Sequence, residues 1–224
     1  MRDDIYMVSG ESSAVFATNK LIRNTYLLLS MTLLFSAATA IFAVVTNAPV
    51  VPWWMMLIVM FGLLFATNAL RNSAAGLVTI FALTGFMGYT LGPILSHYLN
   101  LPHGNQIVAT AMAGTGGIFL ALSFYALISR RDFSFMGGFL MVGMIVAILA
   151  GLGAVFFQIP ALSLAMSGMV VLLMSGYILY DTSAMIHGGE DNYIMATISL
   201  YLNIYNLFLS LLQIFGALIG GDER

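Results

Sequence analysis

Reading apolar against polar positions along the chain gives seven long apolar runs, at 26–45, 53–70, 77–98, 107–128, 135–157, 162–180 and 194–219. Each is near the ~20 residues that a helix needs to cross a hydrocarbon core of ~30 Å. The breaks between them carry turn chemistry: Asn47, Pro49 and Pro52; Arg71, Asn72 and Ser73; Asn100, Pro102 and Gly104; Arg130, Arg131 and Asp132; Pro160; and His187, Gly188 and Gly189. The pattern predicts an all-α integral membrane protein of seven transmembrane helices. Residues 1–22 form a polar tail, 23–220 the membrane domain, and 221–224 a short tail on the far side. Gly92-Pro93 lies inside the third run, where the missing backbone donor predicts a kink or a break.

The seventh run has a pattern of its own. Ser199, Asn203, Asn206, Ser210 and Gln213 recur at spacings of 4, 3, 4 and 3, which lines them along one helix face. An unsatisfied polar group in hydrocarbon costs several kcal/mol, so this stripe is expected to be buried among the other helices. Two uses fit it: hydrogen bonding between helices, or the lining of a hydrated permeation path.

Composition strengthens the membrane reading, with 61% hydrophobic and 7% charged residues and a mean hydropathy of +0.99. A soluble domain averages about 25% charged residues, and no water-facing surface can be built from so few. There is no basic patch of the kind nucleic acid binding needs. The absence of cysteine removes thiolate metal sites, disulfides and cysteine nucleophiles together. Asp3, Asp4, Glu11, Lys20 and Arg23 make the first residues too polar for a cleavable signal peptide, so the tail is expected to stay attached.

The few charges orient the bundle. Seven crossings place Arg2, Lys20, Arg23, Arg71, Arg130 and Arg131 on the side of the N-terminus and Arg224 alone on the other. By the positive-inside rule the N-terminus is cytoplasmic and the C-terminus outside. Trp53, Trp54 and Tyr98 then fall at the outer interface, where amphipathic aromatics belong.

Asp181 is the acid placed nearest to membrane depth, at the expected cytoplasmic end of the sixth run. Acids there usually face a partner or water. Arg71, at the same end of the second run, is the natural partner, which makes Asp181 a candidate gate or sensor; the alternative is an interfacial acid that begins a loop. The turn from His187 to Asn192 carries Glu190 and Asp191, weak candidates for a hard-cation site on a stretch that equally reads as a solvated turn. His97 and His103 read as surface histidines at the outer face. Tyr180-Asp181 resembles half of an intramembrane aspartyl protease dyad, but the second acid is missing, since Gly221-Asp222 lies in the far tail; no span contains the Gly-x-Ser of a serine nucleophile. No enzyme is expected, and no cofactor.

Several strings in order resemble the Bax inhibitor-1 superfamily over nearly the whole chain, and within it the bacterial YccA-like branch. They are Arg23-Asn24-Thr25-Tyr26, the run FALTGFMGYTLGP at 81–93, Phe133-Ser134-Phe135-Met136-Gly137-Gly138, Tyr180-Asp181-Thr182-Ser183, Ile186-His187-Gly188-Gly189-Glu190, Asn192-Tyr193-Ile194, Ser199-Leu200-Tyr201 and Tyr205-Asn206. The resemblance implies six helices around a central seventh, in the inner membrane of a bacterium. It also implies two activities. One is a pH-sensitive calcium leak closed by two aspartates; Asp181 matches the first position and Asn203 stands at the second, where a carboxamide has no proton to lose. Calcium would then be a permeant ion, with Asp181, Arg71 and Asn203 at the gate and Ser199, Asn206, Ser210 and Gln213 along the path. The other is modulation of FtsH, a membrane-anchored protease, by a slow substrate held through an unstructured cytoplasmic tail.

Overall fold

The computed structural model describes residues 2–157 and 160–220; for 2–15, 155, 156 and 160 it describes the backbone alone. The far tail at 221–224, with Arg224 and the Gly221-Asp222 pair, lies outside the described residues. The described chain is all helical: α1 (Arg2–Val45), α2 (Trp53–Leu70), α3 (Ala74–Leu99), α4 (Gly104–Ser129), a 3₁₀ turn (Ser134–Met136), α5 (Gly137–Phe157), α6 (Pro160–His187) and α7 (Tyr193–Ile219). Seven helices are long and apolar enough to cross a bilayer. The exposed faces of α2 and α5 are hydrocarbon-like, with Trp53, Phe61 and Phe65 on one and Phe139, Val142 and Leu149 on the other.

α7 is the hub. α1, α3, α4 and α6 pack on it directly, while α2 packs on α3 and α5 on α6 at the outside. Apolar side chains of α7, from Ile194 and Leu200 to Leu207 and Leu212, are fully buried in this core. Because lipid is as apolar as leucine, close packing and hydrogen bonds rather than hydrophobic exclusion hold such helices together. The α1–α3 seam shows what that requires. A Cβ on Gly88 would collide with the Ser36 carbonyl and the Thr39 hydroxyl, and one on Gly92 with Ala43, so the two helices meet nearly backbone to backbone.

Three boundaries differ from the sequence pattern. α1 begins at Arg2, continuous with the first span, where an unstructured arm is expected; beyond Gly10 the tail holds no glycine or proline to stop the helix from extending. α3 runs through Pro93 to Leu99 without breaking. α6 continues to His187, so Asp181 lies well inside the helix and begins no loop. The extension holds because Thr182, Ser183 and Met185 are buried and keep the helical face in contact with the bundle.

Candidate functional site

Lys20, Arg23, Arg71, Arg130 and Arg131 are all exposed and lie at one end of the bundle, the basic end. The last turns of α6 and the first turns of α7 meet there, joined by a turn that the sequence dictates residue by residue. Gly188 takes a left-handed φ of 79°, and the N–H groups of Gly189 and Glu190 donate to the Ala184 carbonyl (2.8 and 3.2 Å), which closes α6. Glu190 Oε1 accepts from the N–H groups of Asp191 and Asn192 (3.0 and 2.8 Å). Asn192 then caps α7, its Oδ1 accepting from Ile194 and Met195 N–H (3.0 and 3.2 Å). Its Nδ2 donates to the Arg71 carbonyl (3.1 Å) and Asn72 Oδ1 (2.9 Å), tying the α2–α3 turn to the start of α7.

A second loop is tied to the same end. Ser183 Oγ accepts from Phe133 N–H (2.9 Å) and donates to the Arg131 carbonyl (3.2 Å). His187 places Nε2 3.1 Å from the Arg130 carbonyl oxygen and Nδ1 3.0 Å from that of Ser183. Asp132 Oδ1 accepts from Ser134 N–H (2.8 Å), and this backbone bond, reinforced by the Ser134 side chain, holds the exposed carboxyl below the usual range.

Between these tethers lies a cavity of about 330 Å³, lined by Asp132, Asp181, His187, Glu190 and Ser199 among others. Asp181 is half-buried in its wall, and Asn203 Nδ2 donates to Asp181 Oδ2 at 2.7 Å. Asp181 and Asn203 are thus brought together across the α6–α7 seam. Arg71 is not part of that contact: its side chain is exposed, and no ion pair joins it to Asp181 among the described residues. The reason is positional, since α2 reaches the bundle through α3, whereas Asp181 lies on α6, which packs on α7. Glu190 spends its carboxylate on the turn, and among the described residues no three of His, Asp and Glu converge as metal ligands. His97 is exposed, and His103, also exposed, precedes α4 with a φ of 55°.

The polar stripe of α7 divides. Ser199 lines the cavity and Asn203 holds Asp181; Ser210 is buried. Gln213 binds α6 twice, accepting from Ser167 Oγ (2.7 Å) and donating to Ser163 Oγ (2.6 Å). Asn206 departs from the expectation of burial: it is exposed, and its Nδ2 turns back to the Leu202 carbonyl of its own helix (2.8 Å). Sequence reasoning passed over Tyr201 and Tyr205, whose hydroxyls are buried. Tyr201 shares a 2.7 Å hydrogen bond with Ser36 Oγ and donates to the Thr84 carbonyl (3.3 Å), and Tyr205 meets Thr90 Oγ1 at 3.4 Å. A tyrosine four residues from another in a span was the signal available, since a buried hydroxyl needs a partner.

The family model described as "Inhibitor of apoptosis-promoting Bax1" matches residues 18–219. The chain belongs to the Bax inhibitor-1 family. A relative of the same family named "Modulator of FtsH protease YccA", from Escherichia coli K12, is 46% identical over 96% of this chain and 97% of its own. A protein of Pseudomonas aeruginosa, named as uncharacterized, is 51% identical over the full length of both. One from Neisseria meningitidis, likewise named, is 31% identical over 99% of this chain and all of its own. As a Bax inhibitor-1 family protein, the chain is a multi-pass membrane protein, and its YccA relatives place it beside that branch.

Proposed function

We propose that this protein is an inner-membrane modulator of an FtsH-type protease, with residues 1–22 as the handle on the cytoplasmic side and the seven-helix bundle as the resistant body. The single observation that carries the reading is the 46% identity over nearly the full length to the relative named as an FtsH modulator. The basic end of the bundle supports the orientation, since all the exposed cations named above lie on the side of the N-terminus. The handle is helical from Arg2 onward. An isolated helix of about 20 residues is only marginally stable in water, so an unfoldase that grips this segment unwinds its first turns at little cost. The bundle then resists extraction and occupies the protease as a slow substrate. The test is a mild-detergent pull-down from native membranes of the full-length protein beside a form lacking residues 2–22. The reading expects the protease with the full-length form alone; equal recovery with both, or with neither, rejects it.

One observation favours a second reading, a cation leak gated at the basic end. The Asp181–Asn203 bond joins α6 to α7 at the wall of the cavity, where a closing latch would sit. Calcium-loaded liposomes holding the purified protein test this reading: leak altered by Asp181→Asn supports it, and the absence of leak from both proteins ends it.

A further inference from the structure

A second cavity, of about 510 Å³, lies in the half of the bundle away from the basic end, between α1 and α4 and against α3 and α7. Its lining runs along α1 from Leu33 to Val44 and along α4 from Val108 to Phe119, in each case about 16 Å at 1.5 Å per residue. That is half of the ~30 Å hydrocarbon core, the depth of one leaflet. Toward the basic end the gap is shut. Tyr26 of α1 sets its ring against that of Phe119 of α4, with centroids 6.1 Å apart, and its hydroxyl lies 3.4 Å from Thr182 Oγ1 of α6. The opening is sideways: Ile41 on α1 and Met112 on α4 both line the cavity and are 63% and 60% exposed.

The walls select the occupant. None of the lining residues is charged, and the four that bear hydroxyls, Ser36, Thr115, Tyr201 and Tyr205, already have hydrogen-bond partners within the protein. A cavity whose polar groups are satisfied does not draw in water. A lipid headgroup or an extended peptide inside it would bury polar groups without partners. A spanning helix is excluded by the Tyr26–Phe119 contact, which blocks the other leaflet. Hydrocarbon remains, and hydrocarbon is what stands at the mouth. An empty space would forfeit dispersion contacts along every wall, whereas a chain that enters from the side restores them. A cavity one leaflet deep and blind at its inner end has the length of a single acyl chain.

We propose that this cavity is a binding site for one acyl chain of a phospholipid from the leaflet away from the basic end, which fills the gap between α1 and α4 over Tyr201 and Tyr205. The site is separate from the Asp181–Asn203 contact, and the proposal depends on neither reading of function given above.

The test reconstitutes the full-length protein in vesicles of phosphatidylethanolamine and phosphatidylglycerol, doped with a phosphatidylcholine that carries a diazirine within one acyl chain. After illumination, adducts are mapped by mass spectrometry. The expected result is adducts on the buried Leu91 and Ile204, which lipid around the bundle does not reach, at least as abundant as those on the lipid-facing Phe65 and Leu149. Gly116 supplies the competing variant. It lines the cavity and a Cβ there meets nothing within 4 Å, so Gly116→Phe puts a ring into the space the chain would take. Gly117 is equally open but does not line the cavity, which makes Gly117→Phe the control. Gly116→Phe should lower the Leu91 and Ile204 adducts about tenfold, and Gly117→Phe should leave them unchanged. Adducts confined to Phe65 and Leu149, or the same adducts in both variants, overturn the proposal. If Gly116→Phe fails to fold, the map of the natural protein decides alone. Rapid labelling of Ile204→Cys, a unique thiol in a chain without cysteine, by a membrane-impermeant maleimide also overturns it, because the cavity is then an aqueous path. Protease recovery in the pull-down is read separately: it decides the modulator reading whatever the lipid adducts show.

Discussion

Two seams of this bundle are built in opposite ways. Along α1–α3 the glycines Gly88 and Gly92 let the helices meet at backbone distance against Ser36 and Ala43. Along α6–α7 an apolar cluster that includes Met174, Ile178, Leu207 and Leu212 is joined by the ends of polar side chains, Asn203 to Asp181 and Gln213 to Ser163 and Ser167, with a cavity of about 330 Å³ at one end. The first seam has one arrangement, because nothing in it can turn aside. The second adds separable hydrogen bonds and a cavity to its apolar packing, so its polar end is where alternative arrangements differ least in energy.

Three substitutions break or sharpen this contrast. The largest effect is expected from Gly88→Leu, which forces α1 and α3 apart and costs about 3 kcal/mol, read as a large fall in Tm in detergent. Asn203→Leu comes next: it leaves the half-buried Asp181 carboxylate without its donor, at about 1–3 kcal/mol in denaturant titrations. The same leucine at Ser199 changes stability by less than about 1 kcal/mol, because its bulk enters an existing cavity. If Ser199→Leu proved as damaging as Gly88→Leu, the two seams would not differ in kind.

The smallest effect is a pH dependence at the α4–α5 loop. Ser134 holds the Asp132 carboxyl below its ordinary range, so the bond contributes above pH ~4 and is lost as pH falls through the folded-state value. The Tm gap between the natural protein and Asp132→Ala should therefore narrow between about pH 6 and about pH 3. A gap constant over that interval would remove Asp132 as the cause.

The seven crossings were legible because hydrocarbon imposes one rule on every span: internal backbone hydrogen bonds and an apolar surface. The α1–α3 seam was half legible, since Gly88 and Gly92 mark a close approach without naming Ser36 and Ala43 as what they approach. Asp181 with Asn203 was readable from the family pattern, but its presumed link to Arg71 was not, because the order in which helices surround α7 leaves no local trace. The stripe of α7 misled at Asn206 for a related reason. Periodicity shows that positions share a face, whereas the neighbour that covers the face, or its absence, is a property of the whole bundle. The buried hydroxyls of Tyr201 and Tyr205 escaped because tyrosine in a span reads as an apolar or interfacial residue until its partner is known.

α1 is a single rod from Arg2 to Val45, about 66 Å at 1.5 Å per residue, and its far half carries Ser36 and Ala43. Tension applied near its first residues loads the α1–α3 interlock lengthwise, in shear, so that the contacts at Gly88 and Gly92 must slide together instead of peeling one at a time. The seam that sets the equilibrium packing of the two helices is in that geometry also a mechanical clamp, and its strength depends on the direction of the pull.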